Sequence, residues 1–268
     1  MDNKSSNRYA VPALEKSLSI LESLAQSREP LSMPEIAARI KVPKTSIFMI
    51  LSTLEEHGYI EKTTEGKFRL TLKLYDLGQT VLDKLDIRDI ARPVMQELAD
   101  QLEYTVHLAS LIDGKAVYIE KVQGPSFVQF STHIGQAWHL HNSGVGKAIA
   151  AFLPPQELDH ILMKHGLPAT TPNTMVNANE FKDFLESVRS LGYAIEDEEG
   201  EQGIRCIAAP VFDHNGRVVG SVSITSVRVN LPSQKFSEVG KLVQNKALLI
   251  SSKLGYKTNQ TNQSLAAE

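Results

Sequence analysis

A single cysteine, Cys206, leaves this chain of 268 residues without a partner for an intrachain disulfide, which fits a reducing compartment. No run approaches the ~20 consecutive apolar residues of a membrane-spanning helix, and the polar start from Met1 to Ala10 lacks the apolar core of a secretory signal. These absences predict a cytoplasmic protein with no membrane partner. Internal repeats and low-complexity tracts of consequence are missing as well. At 42% hydrophobic and 22% charged, the composition is too balanced for wholesale disorder and suits about two ordinary domains.

An excess of either charge is also lacking, since the formal net charge is −3. Residues 1–70 carry 10 basic and 9 acidic side chains and the remainder 18 and 22, so the two parts stand at +1 and −4. A more telling gap is local. From Lys41 to Leu54 there are two lysines, Lys41 and Lys44, and no acid, the composition of a surface that faces phosphate.

What is present is organised around Ser32 to Leu70. A Ser32-x-x-Glu35 capping box opens a short helix, Lys41-Val42-Pro43 breaks it, a longer helix follows, and a small two-stranded ribbon closes the stretch. That order predicts a winged helix-turn-helix, a motif whose second helix enters the major groove of double-stranded DNA while the ribbon touches the flanking backbone. Ahead of it, Val11, Leu14, Leu18, Leu21 and Ala25 recur at helical spacing and predict a buttressing helix that buries this stripe. Ile36, Ala37 and Ile40, then Ile47, Ile50, Leu51 and Leu54, form the inward faces of the next two helices, and Gly58 supplies the stop. Left over for a partner are Lys44, Thr45, Ser46, Phe48, Met49, Ser52 and Thr53. Hydroxyls there can meet bases or phosphates and the apolar pair can pack on a thymine methyl, but no Arg or Asn offers bidentate reading. In the ribbon, Ile60, Phe68 and Leu70 face the core, and Lys62, Lys67 and Arg69 face outward as a positive wing.

Two helical stripes follow, Leu74, Leu77, Val81, Leu82 and Leu85, then Ile90, Val94, Leu98 and Leu102, with Asp86 as the cap between them and Gly78 leaving room for close approach. Such a linker can hold two DNA modules about one helical turn apart. From Tyr104 the pattern turns to strand: Thr105 to Ile112, the Asp113-Gly114 turn, Lys115 to Val122, and a strand region from Phe127 to Ser131. Helices are expected over 144–152, 156–165 and 179–191, strands over 192–195, 204–212 and 218–229, an Asn215-Gly216 turn, and a closing helix over 234–253. The expected fold class is α+β with an antiparallel sheet. The divisions are a disordered arm (1–10), the winged domain (11–72), a helical dimerisation linker (73–103), the sheet domain (104–257) and a disordered tail (258–268).

The sequence resembles the IclR-type transcriptional regulators over almost its whole length. The resemblance rests on Leu14-Glu15-Lys16-Ser17-Leu18-Ser19-Ile20-Leu21, Pro43-Lys44-Thr45-Ser46, Leu74-Tyr75-Asp76-Leu77-Gly78 and Val117 to Val122, and continues through His141 to Ala148, Gly192-Tyr193-Ala194 and Ile207 to Val211. It implies a winged helix-turn-helix, a dimerising linker and a carboxy-terminal effector-binding domain related to the GAF fold, in a homodimer or dimer of dimers on a palindromic operator. Repression is the expected mode, and no cofactor is called for. The implied effector is a small molecule such as a keto, sugar or aromatic acid. Its implied pocket takes Gly144 and Val145 at a helix start, Glu196, Cys206, and Ser223 with Thr225 on a late strand. Helix-start N–H groups would favour a carboxylate. Glu196 would repel one unless it is protonated or accepts from ligand hydroxyls. The family often has Arg where this chain has Met49, which removes one cation from the DNA-facing set.

Other chemistries have weaker support. Cys206 with Glu196 and the histidines could form a nucleophile or a thiol-based sensor, but a lone cysteine among apolar neighbours in a strand reads as a buried small hydrophobe. His133, His139 and His141 raise metal binding, with His139 and His141 two apart on one strand face but no carboxylate or thiol at fixed spacing. Gly144 to Ala148 lacks the glycine and hydroxyl positions of a phosphate loop. The acidic run from Glu196 to Glu201 reads as a solvated loop beyond its first residue.

Overall fold

A computed structural model of the protein describes residues 10–40, 44–82 and 85–257. The arm before residue 10, the Lys41-Val42-Pro43 break and the tail from 258 lie outside the described residues, as do the side chains of Lys44, Thr45 and Leu82. The chain divides into two compact units between residues 84 and 85.

In the first unit α1 (Pro12–Ala25), α2 (Met33–Ile40) and α3 (Lys44–Glu56) enclose a small core with the antiparallel ribbon β1 (Ile60–Lys62) and β2 (Phe68–Leu70), and α4 (Lys73–Leu82) follows. The cap of α2 forms around Glu35, whose Oε2 accepts from Ser32 N at 2.7 Å and Ser32 Oγ at 2.6 Å. At the end of α3, Gly58 takes φ +70° and Tyr59 N donates to Leu54 O at 2.8 Å, a left-handed stop that glycine adopts at least cost. Ile36, Ile47, Ile50 and Leu51 are buried as the spacing requires. α1 departs from expectation. It buries Ile20 and Leu24, while Val11, Leu14 and Leu18 stay exposed. The helix carries two apolar faces, and the one that docks is the one its carboxy-terminal half can bring to α2, α3 and β2.

The second unit opens with α5 (Ile87–Leu102), capped by Asp86 Oδ1 accepting from Arg88 N at 2.8 Å. β3 (Thr105–Ile112) and β4 (Lys115–Val122) form a hairpin across Asp113-Gly114, both residues at positive φ (51° and 77°) as a two-residue turn demands. Then come β5 (Ala137–Trp138), α6 (Gly144–Ala150), α7 (Pro155–His165), α8 (Ala178–Leu191), β6 (Ala194–Asp197), β7 (Ile204–Phe212), β8 (Val218–Val227) and α9 (Phe236–Lys253). The sheet is antiparallel, in the order β5-β4-β3-β8-β7-β6. α5 and α9 pack on one face through Val94, Leu98, Val243 and Ile250. α6, α7 and α8 cover the other through Ile149, Leu162, Phe181 and Leu185.

Three expectations need correction. The two helices expected of the 73–103 linker form as α4 and α5 but divide between the two units, and Ala91, Val94, Met95, Leu98 and Ala99 of α5 belong to the core of the sheet unit. An amphipathic period shows that a helix has a dry face but not what dries it. Phe127 to Ser131 is not a strand. The chain from 123 to 136 is irregular, and the Lys121 ammonium donates to Phe130 O at 2.6 Å and Thr132 O at 2.7 Å, where a ladder would have used backbone N–H groups. The acidic run is not a plain solvated loop either, since Glu199 is buried at 6% exposure.

Leu98 is wholly buried under the sheet. Leu98→Ala should cost about 2–5 kcal/mol, the range for buried leucine deletions. Urea unfolding followed at Trp138, the only tryptophan and a reporter of the sheet unit alone, should show the loss.

Candidate functional site

On the first unit the exposed side of α3 matches the set left over from its core stripe. Phe48 and Met49 are 63% and 71% exposed, Ser52 and Thr53 are exposed, and Ser46 is half-buried. Thr53 Oγ1 donates back to Met49 O at 3.0 Å, so that hydroxyl is partly spent on its own helix. Lys44 and Thr45 stand in the first turn of α3. On the ribbon, Lys62 and Arg69 point outward and Lys67 is half-buried, but they are not bare cations. Arg69 Nε lies 2.6 Å from Glu61 Oε1, and Lys67 Nζ lies 3.9 Å from Glu65. Exposed pairs of this kind are weak enough for a phosphate to displace.

On the second unit strand alternation sorts the side chains. Val106, Leu108, Ile207, Ala209, Val222 and Ile224 face α5 and α9, so His107, Cys206, Ala208, Ser221, Ser223 and Thr225 face the α6 side. There they meet the start of α6, where Ser143 caps the helix by accepting from Gly146 N at 3.1 Å. Glycine at 144 eases this approach, because a Cβ on it would stand 3.1 Å from Cys206 Cβ, tighter than an ordinary contact. The result is a cavity with about 460 Å³ of empty space.

All six positions expected of the pocket, Gly144, Val145, Glu196, Cys206, Ser223 and Thr225, line this one cavity. Sequence reasoning missed Tyr118, Phe130, Thr132, Trp138, Asn142 and Gly200, which line it too. Asn142 and Ser143 could have been found as polar residues directly before the α6 start. Thr132, in the irregular 123–136 segment, and Trp138, on the two-residue strand β5, carried no signal, because so short and irregular a stretch reads as strand or loop.

Glu196 Oε1 accepts from Glu199 N at 2.6 Å and Gly200 N at 3.0 Å. Burial raises its pKa, and those two N–H groups oppose the rise. Burial, with Glu196 second, pushes the Cys206 thiol well up, so it rests as a thiol and offers no thiolate nucleophile. Trp138 Nε1 and Asn142 Oδ1 are buried without a hydrogen-bond partner. An unpaired donor and an unpaired acceptor on one cavity wall are costly unless a ligand or water meets them. The histidines are arranged otherwise than expected: His139 and His141 lie beyond β5, their rings 5.5 Å apart edge-on, and His141 Nε2 faces Pro168 O at 3.1 Å. No group of three or more potential metal ligands forms among the described residues.

Behind the cavity stands a pair the sequence concealed. Lys147 of α6 is wholly buried, and its ammonium bonds Glu199 of the β6–β7 loop and lies 3.3 Å from Ile195 O. Thr170 and Thr174 hydroxyls each donate to Glu199 O at 2.7 Å, and Thr171 to Glu198 O at 2.7 Å, fastening the same loop. Burial lowers the Lys147 pKa while Glu199 opposes the shift.

Removing one partner strands the other charge, so Lys147→Met should destabilise the sheet unit by about 3–5 kcal/mol. Lys147→Met with Glu199→Leu should recover most of that loss in urea titrations. His107, buried between β4 and β8, is pushed down to about 3 by burial and secondarily by the Lys121 ammonium. Between that value and its ordinary 6.5 the unfolded chain binds the proton and the folded chain refuses it. Its contribution to stability is therefore whole above 6.5 and is lost as pH falls. His107→Phe should remove about one proton from the pH slope of unfolding free energy between pH 6 and 3.5.

Profiles of two domain families match the chain: the IclR helix-turn-helix domain over residues 13–64, and the bacterial transcriptional regulator IclR carboxy-terminal domain over residues 79–252. The chain is 31% identical to the HTH-type transcriptional regulator XynR of Escherichia coli K12 over 247 residues, covering 92% of this chain and 98% of that one. It is 32% identical to the regulator KdgR of Dickeya chrysanthemi over 248 residues, 92% and 81% of the two chains. The Thermotoga maritima IclR structure superposes with a TM-score of 0.62 at 34% identity, covering 91% and 99%. The Agobacterium tumefaciens repressor BlcR shares the fold with a TM-score of 0.81 at 24% identity, covering 92% and 98%. No described helix is long and apolar enough to cross a membrane. With both domain profiles in order along one chain, a DNA-reading unit ahead of a sheet unit with a cavity, this protein belongs to the IclR family of transcriptional regulators, not to an enzyme family.

Proposed function

We propose that the protein is a cytoplasmic repressor that binds a palindromic operator as a homodimer or dimer of dimers and responds to a small organic acid held in the cavity of its sheet unit. The observation that carries this reading is the convergence of Gly144, Val145, Glu196, Cys206, Ser223 and Thr225 on a single cavity with a buried unpaired donor and acceptor in its wall. The α6 start offers N–H groups to a carboxylate, and Glu196 with Asn142 Oδ1 accepts from ligand hydroxyls. A hydroxylated acid meets both needs, so sugar acids are preferred to aromatic acids. The relative AllR of Klebsiella pneumoniae, 31% identical over 246 residues, is named a repressor, which favours that mode.

On the DNA side, Lys44, Thr45, Ser46, Phe48, Met49 and Ser52 of α3 meet the major groove, and Lys62, Lys67 and Arg69 meet flanking phosphates. With no bidentate reader on α3, one module discriminates modestly, and specificity comes from two modules at fixed spacing. The exposed apolar residues Val11, Leu14 and Leu18 on α1 and Tyr75, Leu77 and Val81 on α4 fit a second copy, and Gly78 has no atom within 4 Å to obstruct it.

A genome-wide map of bound sites, followed by anisotropy titrations on the recovered operator, tests the reading. Lys44→Ala should weaken binding to all sequences and flatten the salt dependence by about one unit of slope. Glu196→Gln should leave operator affinity intact without acid and abolish the response to acid, a coupling on the order of 1–3 kcal/mol in the wild type. Operator affinity indifferent to an acid that binds the chain would refute the effector role.

A further inference from the structure

One buried group beside the cavity takes no part in the proposed binding of an effector. His107 is fully buried on β3, and its ring stacks on Tyr118 with centroids 4.2 Å apart and planes 15° apart. Its Nδ1 lies 3.3 Å from Thr225 Oγ1 and its Nε2 lies 2.7 Å from Thr132 Oγ1. Tyr118, Thr132 and Thr225 all line the cavity, whereas His107 stands behind them. One imidazole thus touches three side chains of the wall, drawn from β4, β8 and the irregular 123–136 segment.

A neutral imidazole has one N–H donor and one bare nitrogen acceptor. Whichever nitrogen holds the proton, one threonine must accept from the ring and keep its own O–H for the cavity or, at Thr225, for Cys206 Sγ 3.4 Å away. The other must donate to the ring and show the cavity only lone pairs. The two hydroxyls cannot both act as donors toward a ligand while both are bonded to His107. We propose that His107 is a positioning residue for specificity, which sets Thr132 and Thr225 in opposite hydrogen-bonding senses so that the cavity selects a ligand carrying both a hydroxyl donor and an acceptor oxygen. This rests on the cavity being the effector site, and it names the ligand class more narrowly: 2-hydroxy acids over the 2-oxo acids of the same carbon skeleton. The 2-oxo acid has no hydroxyl for the lone-pair side, and its carbonyl oxygen faces an acceptor there.

Two measurements on the full chain test it, and they can fail separately. The ring nitrogens of His107 in ligand-free protein, observed by long-range nitrogen–proton correlation, should show one protonated and one bare nitrogen in a single fixed tautomer. A doubly protonated ring, or two nitrogens averaged between states, overturns the proposal. Calorimetry with L-lactate and pyruvate, a matched hydroxy and oxo pair, should then give wild-type preference for lactate. His107→Phe, which keeps the stack and removes both nitrogens, should reduce that preference roughly tenfold, the size expected for losing one oriented buried hydrogen bond. His107→Gln, with one donor and one acceptor, should restore part of it. Equal weakening of both acids by His107→Phe marks a merely structural residue and overturns the proposal. If the wild type binds neither acid, the effector reading fails for this class of acids, and the nitrogen spectrum alone decides the role of His107.

Discussion

A sheet covered on both faces has no water to satisfy a polar side chain, and that constraint organises the second half of this protein. α5 and α9 close one face and α6, α7 and α8 the other, so β3, β7 and β8 are dry along most of their length. Polar groups in such a layer are costly unless bonded. Yet His107, Ser221, Ser223 and Thr225 are all 4% exposed or less and all face α6, with Cys206 beside them. Ser221 discharges its hydroxyl onto Val145 O at 3.0 Å, and Thr225 bonds His107 and Cys206. The polar line and the cavity are therefore one feature. Where α6 begins and Gly144 lets it approach β7, side chains that no apolar partner covers have room for a small polar ligand.

Much of this was legible in residue order. The Asp113-Gly114 hairpin, the α3 stripe, its Gly58 stop and β7 carry local signals that agree with their tertiary surroundings, so the pattern sufficed. The six pocket positions were found because a resemblance aligned residues from α6, β6, β7 and β8 that no local rule connects. What stayed hidden depends on partners distant in sequence. Lys147 and Glu199 are 52 residues apart, and each alone looks like a surface charge. Phe127 to Ser131 has strand composition but no neighbouring edge to pair with. α1 displays two apolar faces of similar quality, and only the position of α2, α3 and β2 decides which is buried.

The electrostatics of the cavity follow from where its nearest cations are committed. Lys147 is held by Glu199, Lys121 by the carbonyls of Phe130 and Thr132, and His107 is neutral. On the proposed effector reading, an acid entering the cavity would meet N–H dipoles in place of a side-chain cation, with the Glu196 carboxyl also in the wall. Dipoles hold a carboxylate less tightly than a guanidinium fork and are more exacting about its direction.

The same residues also tie the cavity to its frame. Glu199 gives its N–H to Glu196 inside the cavity and its carboxylate to Lys147 on α6, while its carbonyl is gripped by Thr170 and Thr174 ahead of α8. A ligand that competes for Glu196 acts on a residue whose backbone neighbour is anchored at three points to two other segments. Because the Lys147–Glu199 pair is buried, a partial separation leaves both charges poorly compensated, so the loop is held in one arrangement and resists small displacements. On the proposed effector reading, that stiffness would carry a contact at Glu196 to α6 and to the segment preceding α8.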